Sequence, residues 1–258
     1  MAKLAKTQPL APAEALSRCL SNYGAVDARD RAALEDLVSA SVRMARPHSD
    51  IVRESEAPPG ALLIVSGWGC RYKMLEDGRR QIIALLLPGD FCDLHNTVLS
   101  RMDHSIGAID AVRYVVLSSN RLAAFARDFP RLGDALLWQT AVAAAIQREW
   151  TLNTARRNAS ERVGSLLCEI LMRARAVGLA DGDAFHMPLT QIDIAEATGL
   201  TPVHVNRTIQ AMRGAGLIDW AHKTLALLDF ARLQVASCFT PEYLHLTRMS
   251  DGDDVTSR

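Results

Sequence analysis

The spacing of hydrophobic positions changes twice along this chain. Between about Asp50 and Ser118 they fall in short, often β-branched runs separated by turn residues, which is typical of an antiparallel sandwich or barrel. Asp77-Gly78 lies between two of these runs and predicts a hairpin turn, because glycine accepts a positive φ. Before the sheet, a short helix is expected from Asp27, and the residues ahead of it lack firm periodicity.

Helical spacing begins after Pro130 and predicts a helix of about 27 residues, roughly 40 Å long. A small barrel needs no cover of that length, so one face is interpreted as a dimer seam. An ordinary core helix in a monomer is the alternative. The predicted seam consists of Leu132, Leu136, Ala143, Ile146 and Trp150. A second stripe, expected to cover the β-domain, consists of Leu137, Ala141, Ala144 or Ala145, and Leu152.

Residues 190–214 read TQIDIAEATGLTPVHVNRTIQAMRG and predict two short helices. Thr190 can cap the first, which is expected to end at Gly199. Thr201 can cap the second, and Pro202 fits its first position, where no N–H is needed. Two short helices joined by a glycine-containing turn form a helix-turn-helix. The first-helix residues expected to face inward are Ile192, Ile194 and Ala195.

The second of these helices carries an outward polar stripe. Val205, Ile209 and Met212 recur at i, i+4 and i+7 and are expected to face inward. Arg suits guanine, Asn or Gln suits adenine, and an apolar side chain suits the thymine methyl, so the opposite stripe fits a major-groove reader. A solvated helix face is the alternative. The predicted DNA-binding residues are Thr201, Val203, His204, Asn206, Arg207, Gln210, Arg213 and Lys223, the last at the tip of a following β-hairpin.

Composition adds a constraint on how DNA could be bound. The 258 residues are 49% hydrophobic, which is enough for a proper core, and 29 Lys and Arg balance 29 Asp and Glu. Residues 159–235 carry seven basic and eight acidic residues, so the proposed reader is not basic overall. Such neutrality predicts weak non-specific affinity and a greater dependence on paired base contacts.

Two further features bear on the compartment. The longest apolar run, Ile82 to Leu87, is strand-sized, and the N-terminus lacks a signal-peptide core, so a cytoplasmic protein without a membrane segment is expected. The five cysteines are scattered without CxxC or zinc spacing. They are interpreted as reduced and mostly buried.

These segments together resemble the bacterial Crp/Fnr family of transcription regulators. The resemblance is most specific in TQIDIAEATGLTPVHVNRTIQAMRGAGLI, and it extends over ERVGSLLCEIL and over PPGALLIVSGWGCRYKMLEDGRRQIIALLLPGDF, which is similar to a cyclic-nucleotide-binding roll. It covers nearly the whole chain from about Asp27. It implies an α+β fold with an N-terminal antiparallel, jelly-roll-like β-roll, a long dimerisation helix and a C-terminal winged helix-turn-helix.

The implied domains and partners follow the family. The domains are an arm at 1–26, a roll-type sensor at 27–130, a dimerisation helix at 131–158, a winged helix-turn-helix at 159–240 and a tail at 241–258. The partners are a second copy, a double-stranded pseudo-palindromic operator, RNA polymerase and an unknown small-molecule effector at the roll; no enzymatic activity is implied. Arg207 matches the family arginine that contacts guanine. Val203 stands where many members carry Glu, so the usual half-site is not expected.

The roll departs from the members that bind cyclic AMP. Those members hold the phosphate with a Gly-Glu pair and an Arg-Ser pair, whereas here Gly89-Asp90-Phe91 continues as CDLH and the second pair is matched by His104-Ser105. An imidazole replaces a permanently charged guanidinium, so cyclic AMP is not expected to bind tightly. The candidate effector pocket consists of Asp93, His95, Arg101, His104 and Ser105.

No cofactor or metal ion is expected from the sequence. Only Cys19 precedes residue 70, which disfavours the four-cysteine iron–sulfur cluster of some family members. Haem or metal ligation by Cys92, His95 and His104 is the alternative, although such residues in a β-domain are usually hydrogen-bonded or buried groups. Two other functions remain open: a small-molecule sensor or cupin-like metalloenzyme, and an interaction module that has lost DNA binding.

Overall fold

The computed structural model describes residues 11–39, 42–94 and 98–246. Its N-terminal half is a β-roll of two antiparallel sheets, with strand orders β1-β8-β3-β6 and β2-β7-β4-β5. The strands are β1 (Arg43–Ala45), β2 (Asp50–Val52), β3 (Ala61–Ser66), β4 (Gly69–Met74), β5 (Arg80–Leu86), β6 (Phe91–Cys92), β7 (Ser105–Ala108) and β8 (Val112–Leu117). The predicted antiparallel roll is confirmed, and Gly78 lies in the β4–β5 turn with φ 85°.

Helices flank the roll and form most of the C-terminal half. They are α1 (Pro12–Leu20), α2 (Ala28–Leu37), α3 (Ser119–Asp128), α4 (Pro130–Arg156), α5 (Ala159–Ala176), α6 (Gln191–Thr198), α7 (Pro202–Gly214) and α8 (Phe230–Ala236), followed by a 3-10 turn, Glu242–Leu244. A third sheet, of order β11-β12-β10-β9, contains β9 (Ala180–Asp181), β10 (Ala184–His186), β11 (Ile218–Ala221) and β12 (Thr224–Leu227). The long helix predicted after Pro130 is confirmed and has 27 residues.

Strand β3, inside the first sheet of the roll, is buried on both faces. Leu62 and Ile64 of β3 pack in the core between the two sheets, whereas Leu63 and Val65 pack against the flanking helices. Because water is excluded from both faces, the sequence of β3 is a continuous apolar run and does not alternate between apolar and polar residues.

The α1 helix belongs to the fold, although 1–26 was expected to be an arm. Leu16 and Leu20 of α1 are fully buried, and the helix packs against α2, β3 and α4. The prolines and alanines around α1 obscured its apolar face in the sequence. Residues 1–10 lie outside the described part of the chain.

The second sheet of the roll shares one core with the C-terminal half. Trp68, Ile82 and Leu85 of the roll pack in the same cluster as Phe185 and Ile194. The rings of Trp68 and Phe185 are stacked, with centroids 6.4 Å apart and planes 5° apart. The helix-turn-helix is therefore held against its own roll.

The cysteines are reduced and mostly buried, as predicted from the sequence. All five are free, and four are buried while Cys238 is exposed. Within the described ranges, no helix is long and apolar enough to cross a membrane.

Candidate nucleic-acid interface and roll cluster

The ends of α6 and α7 are set by local hydrogen bonds. The Thr190 hydroxyl accepts from the Asp193 N–H at 3.2 Å, and the Asp193 carboxylate accepts from the Thr190 N–H at 2.8 Å, so the two form a capping box. Gly199 ends α6 in the left-handed region, with φ 66°. Thr201 then caps α7 ahead of Pro202, as the sequence predicts.

The residues predicted to face the core are buried in α7, but only some of those predicted for α6 are buried. Val205, Ile209 and Met212 are buried. Ile194 is also buried, but Ile192 is 58% exposed, so its predicted inward position is wrong. Ile192 and Ile194 are two positions apart, which is about 200° around the helix axis, so the two side chains could not both face the core.

The outward face of α7 is open to solvent. Val203 is 76% exposed, and no described residue forms an ion pair with Arg207. Arg213 makes only a long contact, 3.9 Å from its Nη2 to Asp219 Oδ1. The exposed predicted contacts are Thr201, Val203, His204, Asn206, Arg207, Gln210, Arg213 and Lys223.

Gln191 is a residue of this face that the sequence reading missed. It is the first residue of α6, and its Oε1 accepts a hydrogen bond of 3.1 Å from Asn206 Nδ2. This contact orients the Asn206 amide on the open face. A polar residue at the start of the first helix was the available signal.

The hairpin β11–β12 forms the wing, with Ala221 opposite Thr224. His222 and Lys223 connect the strands with φ of 50° and 62°, the positive values that a two-residue turn of this type requires. The Lys223 carbonyl accepts from the Met187 N–H at 2.8 Å, which anchors the turn to the chain after β10. The exposed Lys223 side chain therefore projects from a supported wing tip.

One ion pair positions the interface on the roll, and a ring of the roll supports it. Arg80 Nη1 of β5 lies 2.8 Å from Glu196 Oε2 of α6, and the Arg80 guanidinium lies 4.1 Å from the centre of the Tyr72 ring. Burial raises the pKa of Glu196, although the charge of Arg80 opposes the rise. The pair ties α6 directly to the roll.

A second, buried network joins the roll to α4 and α5. Arg173 Nη2 donates to Asp90 Oδ2 at 2.7 Å, and Arg173 Nη1 donates to Glu169 Oε1 at 3.2 Å. Glu169 is 2% exposed and also accepts from Trp150 Nε1 at 3.0 Å and from the Tyr243 hydroxyl at 2.9 Å. Burial raises the pKa of Glu169, and the charge of Arg173 and these donors oppose the rise. Tyr243 lies in the expected tail, which is thus packed as far as the structure describes it.

The roll gathers a compact charged cluster. Asp93 Oδ2 lies 2.9 Å from His104 Nε2, and Asp93 Oδ1 lies 3.3 Å from Arg71 Nη2. The other ring nitrogen, His104 Nδ1, contacts Asp103 Oδ1 at 2.7 Å, and Arg71 Nε donates to Cys92 Sγ at 3.3 Å. Arg71 was not among the residues predicted from the sequence, since nothing local in β4 marks it as a partner of a distant loop.

The opposite charges in this cluster stabilise one another. Burial raises the pKa of the Asp93 carboxyl, but the His104 hydrogen bond and the Arg71 charge outweigh it, so the pKa is below its ordinary value. Burial lowers the pKa of His104, but Asp93 outweighs it, so that pKa is raised. Asp93 is therefore an internal counter-ion for both cations.

Two residues of the expected effector pocket, Arg101 and Ser105, have partners outside this cluster. The Ser105 hydroxyl accepts from the Glu54 N–H at 2.9 Å. Arg101 is exposed and donates to the Ser55 carbonyl at 2.8 Å. His95 lies outside the described residues.

The two stripes of α4 lie opposite to the expected arrangement. Leu132, Leu136 and Trp150 of the predicted seam are buried within the protomer, while Ala143 and Ile146 are partly buried. The polar Gln139 on this inner side donates from its amide Nε2 to the Gly89 carbonyl at 2.9 Å, so its N–H group is bonded to the roll. The exposed apolar stripe consists of Leu137, Ala141, Ala144 and Leu152.

The fold and interface define a winged helix-turn-helix protein with a cyclic-nucleotide-binding-type roll. The family model described as the Crp-like helix-turn-helix domain matches residues 161–236, and that of the cyclic nucleotide-binding domain matches residues 42–129. The chain is 30% identical over 174 residues to the transcriptional activator protein FnrL of Cereibacter sphaeroides, covering 66% of this chain and 69% of FnrL.

Two further proteins are also similar to this chain. The nitrogen fixation regulation protein FixK of Bradyrhizobium diazoefficiens is 32% identical over 163 residues, covering 63% of this chain and 68% of FixK. The solved structure of FixK2 from Bradyrhizobium japonicum superposes with a TM-score of 0.67 at 26% identity and covers 76% of this chain and 96% of FixK2. The chain belongs to the Crp/Fnr family, whose members are transcription regulators, not enzymes. This membership does not favour the sensor reading in which DNA binding is lost.

Proposed function

We propose that this protein binds a pseudo-palindromic operator as a homodimer, with one α7 helix in the major groove of each half-site. The observation that carries the proposal is the open face of α7, on which Arg207 has no described ion-pair partner. Two recognition helices must then lie about 34 Å apart, one turn of DNA. In-vitro selection of DNA sites by the purified protein tests this, and recovery of no symmetric site would contradict it.

The side chains of this face suggest distinct roles. Arg207 fits the paired acceptors of guanine, Asn206 and Gln210 fit adenine, and Val203 fits the thymine methyl. Lys223 at the wing tip and the Thr201 hydroxyl at the start of α7 suit phosphate contacts. His204 and Arg213 flank the stripe. An apolar residue at 203 cannot accept a hydrogen bond, so we expect a selected half-site with a thymine at that step.

We place the dimer contact on the exposed stripe of α4. Leu137 is 60% exposed and Leu152 is 46% exposed, on the side of α4 that faces away from its own roll and from α5. Small Ala141 and Ala144 between them allow two such helices to approach closely. The stripe predicted in the sequence to cover the β-domain is, in this proposal, the interface.

Substitution of Leu137→Glu is expected to separate the dimer. An interface anchor contributes about 2 kcal/mol or more, and two-fold symmetry places the change in the interface twice, so the dissociation constant should rise about a thousandfold. Light scattering after size exclusion measures this. Val235→Glu is the matched control, since Val235 is also apolar and is 81% exposed but lies on α8. A dimeric Leu137→Glu protein would contradict this placement.

Cyclic AMP is expected not to be a tight ligand. Asp93 already pairs with Arg71 and His104, the two cations beside it in the described structure, so they are not free for a phosphate. Calorimetry of the purified protein should show no sub-micromolar binding, and such binding would overturn this expectation. Asp93→Asn is expected to gain affinity, because Asn tolerates the φ of 53° and removes the competing charge.

We also propose that the operator-bound dimer works with RNA polymerase in the cytoplasm, as a regulator rather than an enzyme. FnrL is named a transcriptional activator, and a contact with polymerase is the direct route to such an effect. A small effector has room in a cavity of about 320 Å³ between the roll and α4, lined by Arg71, Asp90 and Gln139 among others. Occupation of this cavity would change how α4 packs and so the spacing of the two α7 helices.

A further inference from the structure

Three side chains of the roll cluster direct different donor atoms toward one small volume. The Cys92 sulfur, an Asp93 carboxylate oxygen and a His104 ring nitrogen all lie within 4.8 Å of one another. Cys92 Sγ is 3.4 Å from Asp93 Oδ2, which is 2.9 Å from His104 Nε2. Cys92 and His104 are buried, so these donors converge where bulk water is largely excluded.

His104 Nε2 is the most informative of these atoms. It is buried, and it faces the Asp93 carboxylate, whose Oδ2 lies 2.9 Å away. Nδ1 of the same ring is held by Asp103 Oδ1 at 2.7 Å. An imidazole with one nitrogen fixed by a carboxylate and the other aimed at acidic and sulfur donors is the usual arrangement of a metal-ligating histidine.

We propose that Cys92, Asp93 and His104 bind one divalent transition-metal ion of the Zn²⁺ class in each protomer. Thiolate, imidazole and carboxylate are the three side-chain ligand types that Zn²⁺ takes. Three protein ligands leave a fourth tetrahedral position for water or another donor. In the sequence, Cys92 and His104 were alternative metal ligands together with His95; the fold shows that Asp93 lies beside Cys92 and His104.

The neighbouring Arg71 does not exclude a cation. The Cys92 thiolate and the Asp93 carboxylate balance the two charges of the ion, so the loaded site carries no more positive charge than Arg71 itself. Arg71 Nε is 3.3 Å from Cys92 Sγ and can donate to the thiolate. The bound ion takes the place of the Cys92 thiol proton and of the Nε2 proton of protonated His104, and both protons pass to solvent.

Cobalt substitution tests the site on the full-length protein after removal of metals with a chelator. Addition of Co²⁺ should give one bound ion per protomer and a near-ultraviolet band from thiolate-to-cobalt charge transfer, which added Zn²⁺ removes. Cys92→Ala should abolish the band. Asp103→Asn should weaken Co²⁺ affinity about 10- to 100-fold, because Asp103 only orients His104. The Asp103 side chain is 77% exposed, so this variant is expected to fold normally.

Two cysteine variants serve as controls. Cys70→Ala removes another buried thiol of the roll, and Cys238→Ala removes the exposed thiol, so both should retain the band. The proposal is overturned if the wild-type protein gives no band, if the band survives in Cys92→Ala, or if it depends on Cys238. If Cys92→Ala does not fold, an unchanged affinity in Asp103→Asn overturns it. These measurements need no DNA, so their outcome is independent of operator binding.

Discussion

Arg207→Ala is expected to abolish specific operator binding while the dimer stays intact. An arginine paired with guanine is worth about 1–3 kcal/mol per site, and the dimer uses it twice, so affinity should fall roughly 30- to 10⁴-fold. Since Arg207 is exposed and forms no described ion pair, its removal should not change the melting temperature. Fluorescence anisotropy at a fixed salt concentration, with selected and scrambled DNA, measures the specific loss.

The control for this variant removes an equal charge elsewhere. Arg79 lies in the β4–β5 turn of the roll, where its side chain is 76% exposed and pairs, among the described residues, only with Asp77 at 2.8 Å, so Arg79→Ala is the control. It should bind the operator like the wild-type protein. Lys223→Ala should weaken binding to all sequences alike and reduce the salt dependence. If Arg207→Ala kept wild-type affinity, the placement of α7 in the groove would be wrong.

Arg173→Met is expected to cause the largest loss of stability. The Arg173 side chain is 11% exposed and donates to both Asp90 and Glu169, so its loss leaves two carboxylates without their shared cation. Breaking a buried pair in this way costs about 3–5 kcal/mol, which for a chain of this size lowers the melting temperature by roughly 10 °C. Differential scanning calorimetry measures both the shift and any separation into two transitions.

The matched control lies two residues further along α5. Arg175 pairs with Asp183 near the surface and contacts the Phe230 ring at 5.1 Å, so Arg175→Met should cost about 1 kcal/mol or less. Adding Asp90→Asn to Arg173→Met should recover part of the loss, because one unpaired charge is removed. Equal melting temperatures for the Arg173 and Arg175 variants would show that the network does not hold the roll to α5.

Several features were predictable because they depend on neighbours in the chain. The ends of α6 and α7 follow from Thr190, Gly199 and Thr201, whose side chain or backbone acts within four residues. The inward residues of α7 follow from helical spacing. The prediction that Ile192 faces inward failed for a local reason as well, because side chains at residues 192 and 194 cannot lie on one face of a helix.

Other features depend on residues far apart in the chain. The α4 pattern contains two apolar stripes, and only the position of the roll decides which one is covered. Gln139 marks the covered side by bonding Gly89, a contact across 50 residues that the spacing of apolar positions does not reveal. Arg71 and Cys92, separated by 21 residues, meet for the same reason.

The sequence by itself determined the antiparallel roll, the long helix and the winged helix-turn-helix, together with the residues on the open face of α7. These follow from hydrophobic period, helix caps and turn glycines, which act over a few residues and carry their signal in the local sequence. Only the tertiary structure decided which face of α4 is free, that Arg173 joins Asp90 to Glu169, and that Cys92, Asp93 and His104 converge. Buried charges and ligand clusters depend on neighbours that the fold brings together. The sequence therefore contains these residues but does not show which of them are in contact.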